Sequence, residues 1–349
     1  MTDNGFFAAS VGGAGFRSRF DLIFAPEKYD AVYVIKGGPG TGKSTFMKKI
    51  GEEAERRGYA PEYYFCSSDV GSLDGVVIKE KRACVLDGTA PHVTDPKFIG
   101  ACGQILDFSA AFDVPRLKEN RAEIERLSAI SGEAYARAYA DLRAAREMQE
   151  DGIRAARSSF LGRKAAAFAR RALSGMTRGD VTEVGLATVC SRGIYSLPTF
   201  FEKAARVYLV DEAGGAGYLL MAEIEKHARD AGFSAAVSRD PICPEYAESV
   251  FFGYDGVYFA LSRADAETYG EKTKTINVRR FVSAEGERAA RPYVRLLRKI
   301  RDASVSAAVT SLSDAARAHA ALEEIYKAST DFSVIDAMLE NVKCAIFEN

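Results

Sequence analysis

The run Gly37-Gly38-Pro39-Gly40-Thr41-Gly42-Lys43-Ser44 meets the spacing G-x-x-x-x-G-K-[ST] at every fixed position, and its flanks restrict what the surrounding chain can fold into. Ahead of it, Ala31-Val32-Tyr33-Val34-Ile35 is a β-branched and aromatic run that predicts a buried strand. Behind it, Ser44 to Arg57 is rich in Lys, Glu and Ala and predicts a helix. Strand, glycine loop and helix in that order require an α/β unit. The glycines at 37, 38, 40 and 42 let consecutive amides turn inward around an anion that a Cβ would strike, and the helix N-terminus adds its dipole. In such a loop Lys43 reaches the β and γ phosphates of a nucleoside triphosphate, the Ser44 hydroxyl ligates Mg²⁺, and Thr45 helps to bind the α-phosphate.

The chain has 349 residues, 47% hydrophobic and 27% charged, with a formal net charge of −1, which implies ample core for two or more domains and excludes disorder. Met1 to Gly15 has no basic residue before its small apolar stretch, and no window of about 18 uninterrupted apolar residues occurs, so a cytoplasmic chain without a membrane span is expected. Six cysteines, at 66, 84, 102, 190, 243 and 344, lack any C-x-x-C pair, and three histidines, 92, 227 and 319, lie far apart. That predicts reduced, mostly buried thiols and no structural zinc.

A second pattern appears on sliding the loop region along the chain. Val32-Tyr33-Val34-Ile35 finds a counterpart in Val207-Tyr208-Leu209-Val210, followed by Ala213-Gly214-Gly215-Ala216-Gly217 and a helix-like stretch in which Met221 and Ile224 match Met47 and Ile50. The second loop is one residue shorter, has no lysine to match Lys43, and carries Tyr218 or Leu219 in place of the Ser44 hydroxyl. Its glycines either keep a turn for packing or bind an anion weakly. The fold expected is therefore α/β, a P-loop NTPase fold with a mostly parallel sheet, internally duplicated, each half followed by a helical arm. Residues 1–115 form the domain with the intact loop, 116–178 a helical arm and basic linker, 179–285 the degenerate domain, and 286–349 the C-terminal arm.

Two strands compete to supply the acid that such a site needs near its metal. Val207 to Val210 closes on Asp211-Glu212, which would make the whole chain one domain, whereas Arg82-Ala83-Cys84-Val85-Leu86-Asp87 lies at the separation from Lys43 that a parallel sheet spans, and this favours Asp87. Asp87 is followed by Gly88, so another group must orient the attacking water or acceptor. Asp69 and Asp74 follow the strand Glu62 to Cys66, where strand ends carry ligand contacts, although each also fits a turn or cap acid. Thr89 is a candidate γ-phosphate sensor and His92 a candidate donor or base.

From Arg116 to Met148 near-heptad Leu, Ile and Ala predict one long helix, matched by Ala289 to the C-terminus; such arms pair with each other or with a second copy of the chain. Between Gly152 and Arg178 stand Arg154, Arg157, Arg163, Lys164, Arg170, Arg171 and Arg178 without an acid, which fits either a nucleic-acid or anionic surface or a solvated helical face.

The strings Lys36 to Thr45, Cys66-Ser67-Ser68-Asp69, Ser72-Leu73-Asp74-Gly75 and Asp87-Gly88-Thr89-Ala90-Pro91-His92 together resemble a family of uncharacterised bacterial ATPases made of two tandem P-loop halves. The resemblance spans most of the chain and implies a duplicated P-loop fold that binds ATP with Mg²⁺; with no N-K-x-D loop in the sequence, ATP rather than GTP is expected. The departure is the second loop, which puts a second active site in doubt. The expectation is a single competent site with Lys43, Asp87 and Asp69 in catalysis and Ser44 and Asp87 at the metal. The degenerate half would be an internal partner, with Arg239 or Arg206 able to supply a positive side chain to the nucleotide. Phosphate transfer to a small metabolite or nucleotide, and a non-enzymatic nucleotide-dependent scaffold, are the alternatives.

Overall fold

The computed structural model describes residues 4–90, 93–262 and 272–348. Strands and helices are numbered in chain order. One six-stranded sheet takes β1 (Gly5–Phe7), β4 (Ala31–Lys36), β5 (Glu62–Phe65), β6 (Leu73–Ile78), β7 (Ala83–Asp87) and β8 (Gly103–Asp107), in the order β1-β5-β6-β7-β4-β8. A second takes β9 (Val181–Val184), β12 (Arg206–Asp211), β13 (Ala235–Arg239), β14 (Ala247–Phe252), β15 (Val257–Ser262) and β16 (Thr273–Ile276), in the order β9-β13-β14-β15-β12-β16. The two orders correspond strand for strand. Beside the sheets lie two hairpins, β2 (Ala9–Gly12) with β3 (Gly15–Ser18) and β10 (Ala187–Cys190) with β11 (Gly193–Ser196). Each sheet is parallel except at one strand, β6 or β14, which runs against both neighbours.

The continuous apolar run of β4 is explained by its place: it lies between β7 and β8, and Val32, Tyr33, Val34 and Ile35 are all buried. Two short helices, α1 (Phe20–Ile23) and α6 (Thr199–Lys203), lead into β4 and β12. The helices after the two loops, α2 (Lys43–Arg56) and α7 (Ala216–Ala231), each bury one stripe at helical spacing, Phe46, Met47, Ile50 and Ala54 on α2 and Leu220, Met221, Ile224 and Ala228 on α7. All six cysteines are free, and burial pushes the Cys84 and Cys243 thiols well up.

The arms are built differently from the single helices expected. Asp113 caps the short α3 (Val114–Glu119), the chain breaks at Asn120, and α4 (Arg121–Arg157) then runs well past Met148 into α5 (Gly162–Ala172). The second arm is α8 (Ala284–Lys327) followed by α9 (Phe332–Phe347). The long helices α4 and α8 pack antiparallel along the chain's own midline. Leu127 meets Ala318 and Leu322; Ala138, Leu142 and Ala145 share a buried cluster with Ala308 and Leu312; the Tyr293 hydroxyl donates to Asp151 Oδ2 over 3.4 Å. Each arm thereby delivers its last helix to the opposite sheet. Ala165 and Ala169 of α5 and Leu173, which caps it, are buried with α7, and Ile335, Leu339, Val342 and Ile346 of α9 are buried with Phe46, Met47 and Ile50 of α2.

The buried alanines and leucine of α5 face inward, so Arg154, Arg157, Arg163, Lys164, Arg170, Arg171 and Arg178 are all exposed on its outer side and flanks. Among the described residues no helix is long and apolar enough to cross a membrane.

Because Leu142 is fully buried in the α4–α8 seam, Leu142→Ala is expected to lower the unfolding free energy by about 2–5 kcal/mol in denaturant titration. Arg143→Ala, on the exposed side of the same turn, is expected to change it by less than about 0.5 kcal/mol.

Candidate functional site

Parallel pairing of β4 with β7 places Ile35 in register with Asp87, so the carboxylate arrives where the glycine loop leaves the sheet. The loop then turns through Gly40 at φ +68° and Gly42 at φ +85°, conformations that a residue with a Cβ resists, and Gly42 caps the start of α2. The Thr41 hydroxyl, almost fully buried, donates to Gly38 O over 2.9 Å and pins the turn. Lys43 Nζ donates to Gly38 O at 2.7 Å and Gly37 O at 3.2 Å and lies 3.6 Å from Asp87 Oδ2. The two charged side chains are only 13% and 14% exposed, so their attraction is screened far less than that of a surface pair. Asp87 is oriented in turn, its Oδ1 accepting from the Thr89 amide at 2.9 Å and the Thr89 hydroxyl at 2.6 Å. Ser44 Oγ accepts from the Leu73 amide at 2.9 Å, which ties the first turn of α2 to β6. Among the described residues no backbone carbonyl accepts from the amides of Gly40 through Thr45.

The remaining sequence candidates fall differently. Asp69 is exposed and closes its own turn, accepting from the Gly71 amide at 3.1 Å and the Ser72 hydroxyl at 2.6 Å. Asp74 is buried in β6 beside Cys66, whose thiol is pushed well up first by burial and then by the Asp74 carboxylate. His92 lies outside the described residues. Lys36 was named in the sequence only as the first residue of the resembling string, with no role; its Nζ donates to Gly88 O and Thr94 O, each at 2.8 Å, and pairs with Asp95 at 2.8 Å. It latches the segment that leaves β7 to the root of the loop. A lysine closing a strand whose other residues are apolar was the available signal, because an ammonium there requires acceptors.

The outer side of the loop is walled by the far end of the chain. A Cβ at Gly38 would fall 2.5 Å from the Tyr326 ring, one at Gly40 2.5 Å from Glu323 O, and one at Gly42 3.4 Å from the Phe332 ring. Tyr326 packs edge-on to Phe112 with ring centroids 5.8 Å apart. Two main-chain bonds hold the corner between α8 and α9 in place, Asp113 N to Ser329 O and Asp331 N to Ala111 O, both 2.8 Å.

The second loop has the same position in its sheet and the opposite chemistry. Asp211 ends β12, in the second sheet, so it and Glu212 do not serve the Gly37 loop. The Glu212 carbonyl accepts from the amides of Gly215 at 2.9 Å and Gly217 at 3.0 Å, so the donors that would face an anion are consumed inside the turn. The Glu212 side chain pairs with Arg301 of α8 at 2.6 Å. Burial alone would lower the Arg301 pKa, and Glu212 and Asp302 more than offset it and raise it. Arg239 is held by Glu225 at 2.8 Å and Glu183 at 3.1 Å, and Arg206 is exposed at the amino end of β12. Neither is among the groups found against the first loop's glycines, where the second half contributes Glu323, Tyr326 and Phe332 instead.

Comparison with protein-family models, with curated proteins and with solved structures finds no match to this chain.

Gly40→Ala would force a Cβ against Glu323 O in a left-handed turn; it is expected to cost about 1–3 kcal/mol of stability and to speed amide hydrogen exchange in the last turn of α8 relative to the rest of that helix.

Proposed function

We propose that the chain binds ATP with Mg²⁺ at the loop from Gly37 to Thr45 and hydrolyses it there, as an ATPase or ATP-driven switch with one competent site, on an internally duplicated P-loop fold whose second half is a degenerate internal partner. The observation that carries this reading is the contrast between the two loops. At the first, the amides of Gly40 to Thr45 are uncommitted and Lys43 is held beside Asp87; at the second, Glu212 O occupies the corresponding donors and no lysine is present. The matching strand orders of the two sheets support the duplication.

The residues at the first loop fit a triphosphate and its metal. Backbone amides would cradle the β-phosphate, and Lys43 would exchange the weak acceptors Gly37 O and Gly38 O for phosphate oxygens, bringing its charge to the bond that breaks. The Ser44 hydroxyl would ligate Mg²⁺ and Asp87 would hold it indirectly; when bound, the ion supplies charge neutralisation on the β and γ phosphates. Among the described residues no group of three or more His, Cys, Asp or Glu is arranged to hold a metal, which suits an ion bound by a hydroxyl and phosphate oxygens. Thr89, fixed on Asp87, keeps that carboxylate aimed at the loop.

One observation favours phosphate transfer as a second reading. Gly88 follows Asp87, and Asp69 is committed to its own turn, so neither supplies a free carboxylate to activate water. In a kinase an acceptor hydroxyl takes the place of that water.

Phosphate release from Mg·ATP by the purified chain is expected to fall by at least about 10²-fold in Lys43→Ala. Turnover that persists in the variant would reject the site, and turnover only on addition of an acceptor would select the kinase.

A further inference from the structure

Phe332 reaches the first loop from the opposite arm and is only partly covered there. It opens α9, it is 38% exposed, and its Cε1 stands 3.4 Å from where a Cβ on Gly42, the N-cap of α2, would lie. Part of the ring packs on the loop at Gly42 and the rest is open to water.

The other half provides an internal control, because the corner before α5 is held by the same contacts as the corner before α9. Ser159 O accepts from Ser283 N at 2.9 Å as Ser329 O accepts from Asp113 N at 2.8 Å; Phe160 bridges Val282 as Thr330 bridges Phe112; Leu161 N donates to Phe281 O at 2.7 Å as Asp331 N donates to Ala111 O at 2.8 Å. In that register the residue that answers to Phe332 is Gly162. The exposed aromatic is present at the loop with uncommitted amides and absent at the loop closed by Glu212 O.

We infer that Phe332 is a stacking platform for the nucleotide base, which the site requires because a cradle of amides and one lysine binds any triphosphate alike. This rests on the reading of the Gly37–Thr45 loop as a triphosphate site. The phosphate chain is gripped by α2 and its loop, and the base lies against a ring delivered by the second half's arm. The selectivity for a nucleoside triphosphate over an inorganic one therefore comes from a residue far away in sequence.

Calorimetric titration of the full chain with Mg·ATP and with inorganic triphosphate, in wild type, Phe332→Leu, Phe332→Tyr and Lys43→Ala, tests this. Phe332→Leu keeps an apolar side chain at a position more than a third exposed, so it preserves the fold. It is expected to weaken ATP about tenfold, or ~1.4 kcal/mol, and to leave inorganic triphosphate unchanged. Phe332→Tyr is expected to stay within about twofold of wild type for both. Lys43→Ala is expected to weaken both ligands. If Phe332→Leu affects ATP and triphosphate equally, or neither, the platform is overturned and the phosphate site stands. A wild-type chain that binds neither ligand overturns both.

Discussion

The antiparallel seam between α4 and α8 is the contact on which the rest depends, because it decides which sheet each terminal helix covers. The stripe on α2 that carries Met47 and Ile50 is completed by α9, which arrives from the other end of the chain. Burying one large apolar side chain is worth about 1.5–3 kcal/mol, so the four from Ile335 to Ile346 together approach the whole net stability of an ordinary domain, about 5–15 kcal/mol. A first sheet without α9 would therefore be marginal at best. The alanines at 134, 138, 145, 308, 315 and 318 let the two long helices approach closely enough to form the seam.

The seam also positions the site. As α8 returns to the first sheet its last turn lies on the glycine loop, and as α4 reaches the second sheet its last turns lie on the second loop, where a Cβ at Gly215 would fall 2.7 Å from Ile153 Cα. The environments are alike in architecture and differ in a few atoms. At the first loop a lysine and a strand-end carboxylate face each other over uncommitted amides. At the second, a loop one residue shorter folds in on the Glu212 carbonyl and holds Ala213 at φ +42°, a left-handed conformation costing a non-glycine residue about 1–3 kcal/mol. Arg301 then fixes Glu212 from outside.

What was legible in the sequence was whatever is encoded locally. The strand read as Ala31 to Ile35 is observed as Ala31–Lys36 and the helix read from Ser44 as Lys43–Arg56, because a buried parallel strand and a glycine-to-helix turn announce themselves within a few residues. The proximity of Asp87 to Lys43 followed from the parallel pairing that short α/β connections favour. The reversed direction of β6 did not, since Leu73 to Ile78 is buried on both faces and an apolar run has no direction. The start of α3 had a readable signal in Asp113, with Pro115 in its first turn, and the heptad pattern obscured it. The exchange of arms had no such signal: a heptad seam shows that a helix has a partner and is silent on which one. Glu323, Tyr326 and Phe332 were out of reach for the same reason.

The glycines of the two loops answer to two demands that the sequence motif merges into one. Inward, the absence of a Cβ allows amides to surround an anion; outward, it allows a helix from the opposite arm to press on the loop, as Glu323 O does at Gly40. The second loop separates these demands. Its amides are spent on Glu212 and its lysine is missing, yet Gly214 and Gly215 remain, and a Cβ on either would fall within 2.8 Å of Val294 or Ile153. Close approach of the arm is therefore sufficient by itself to require glycine at these positions. At the first loop the last turn of α8 bears on the outer side of the glycine turn, through Glu323 at Gly40 and Tyr326 at Gly38. The helix that bears there is the one whose other end lies on the second loop, through Val294 at Gly214 and Arg301 at Glu212.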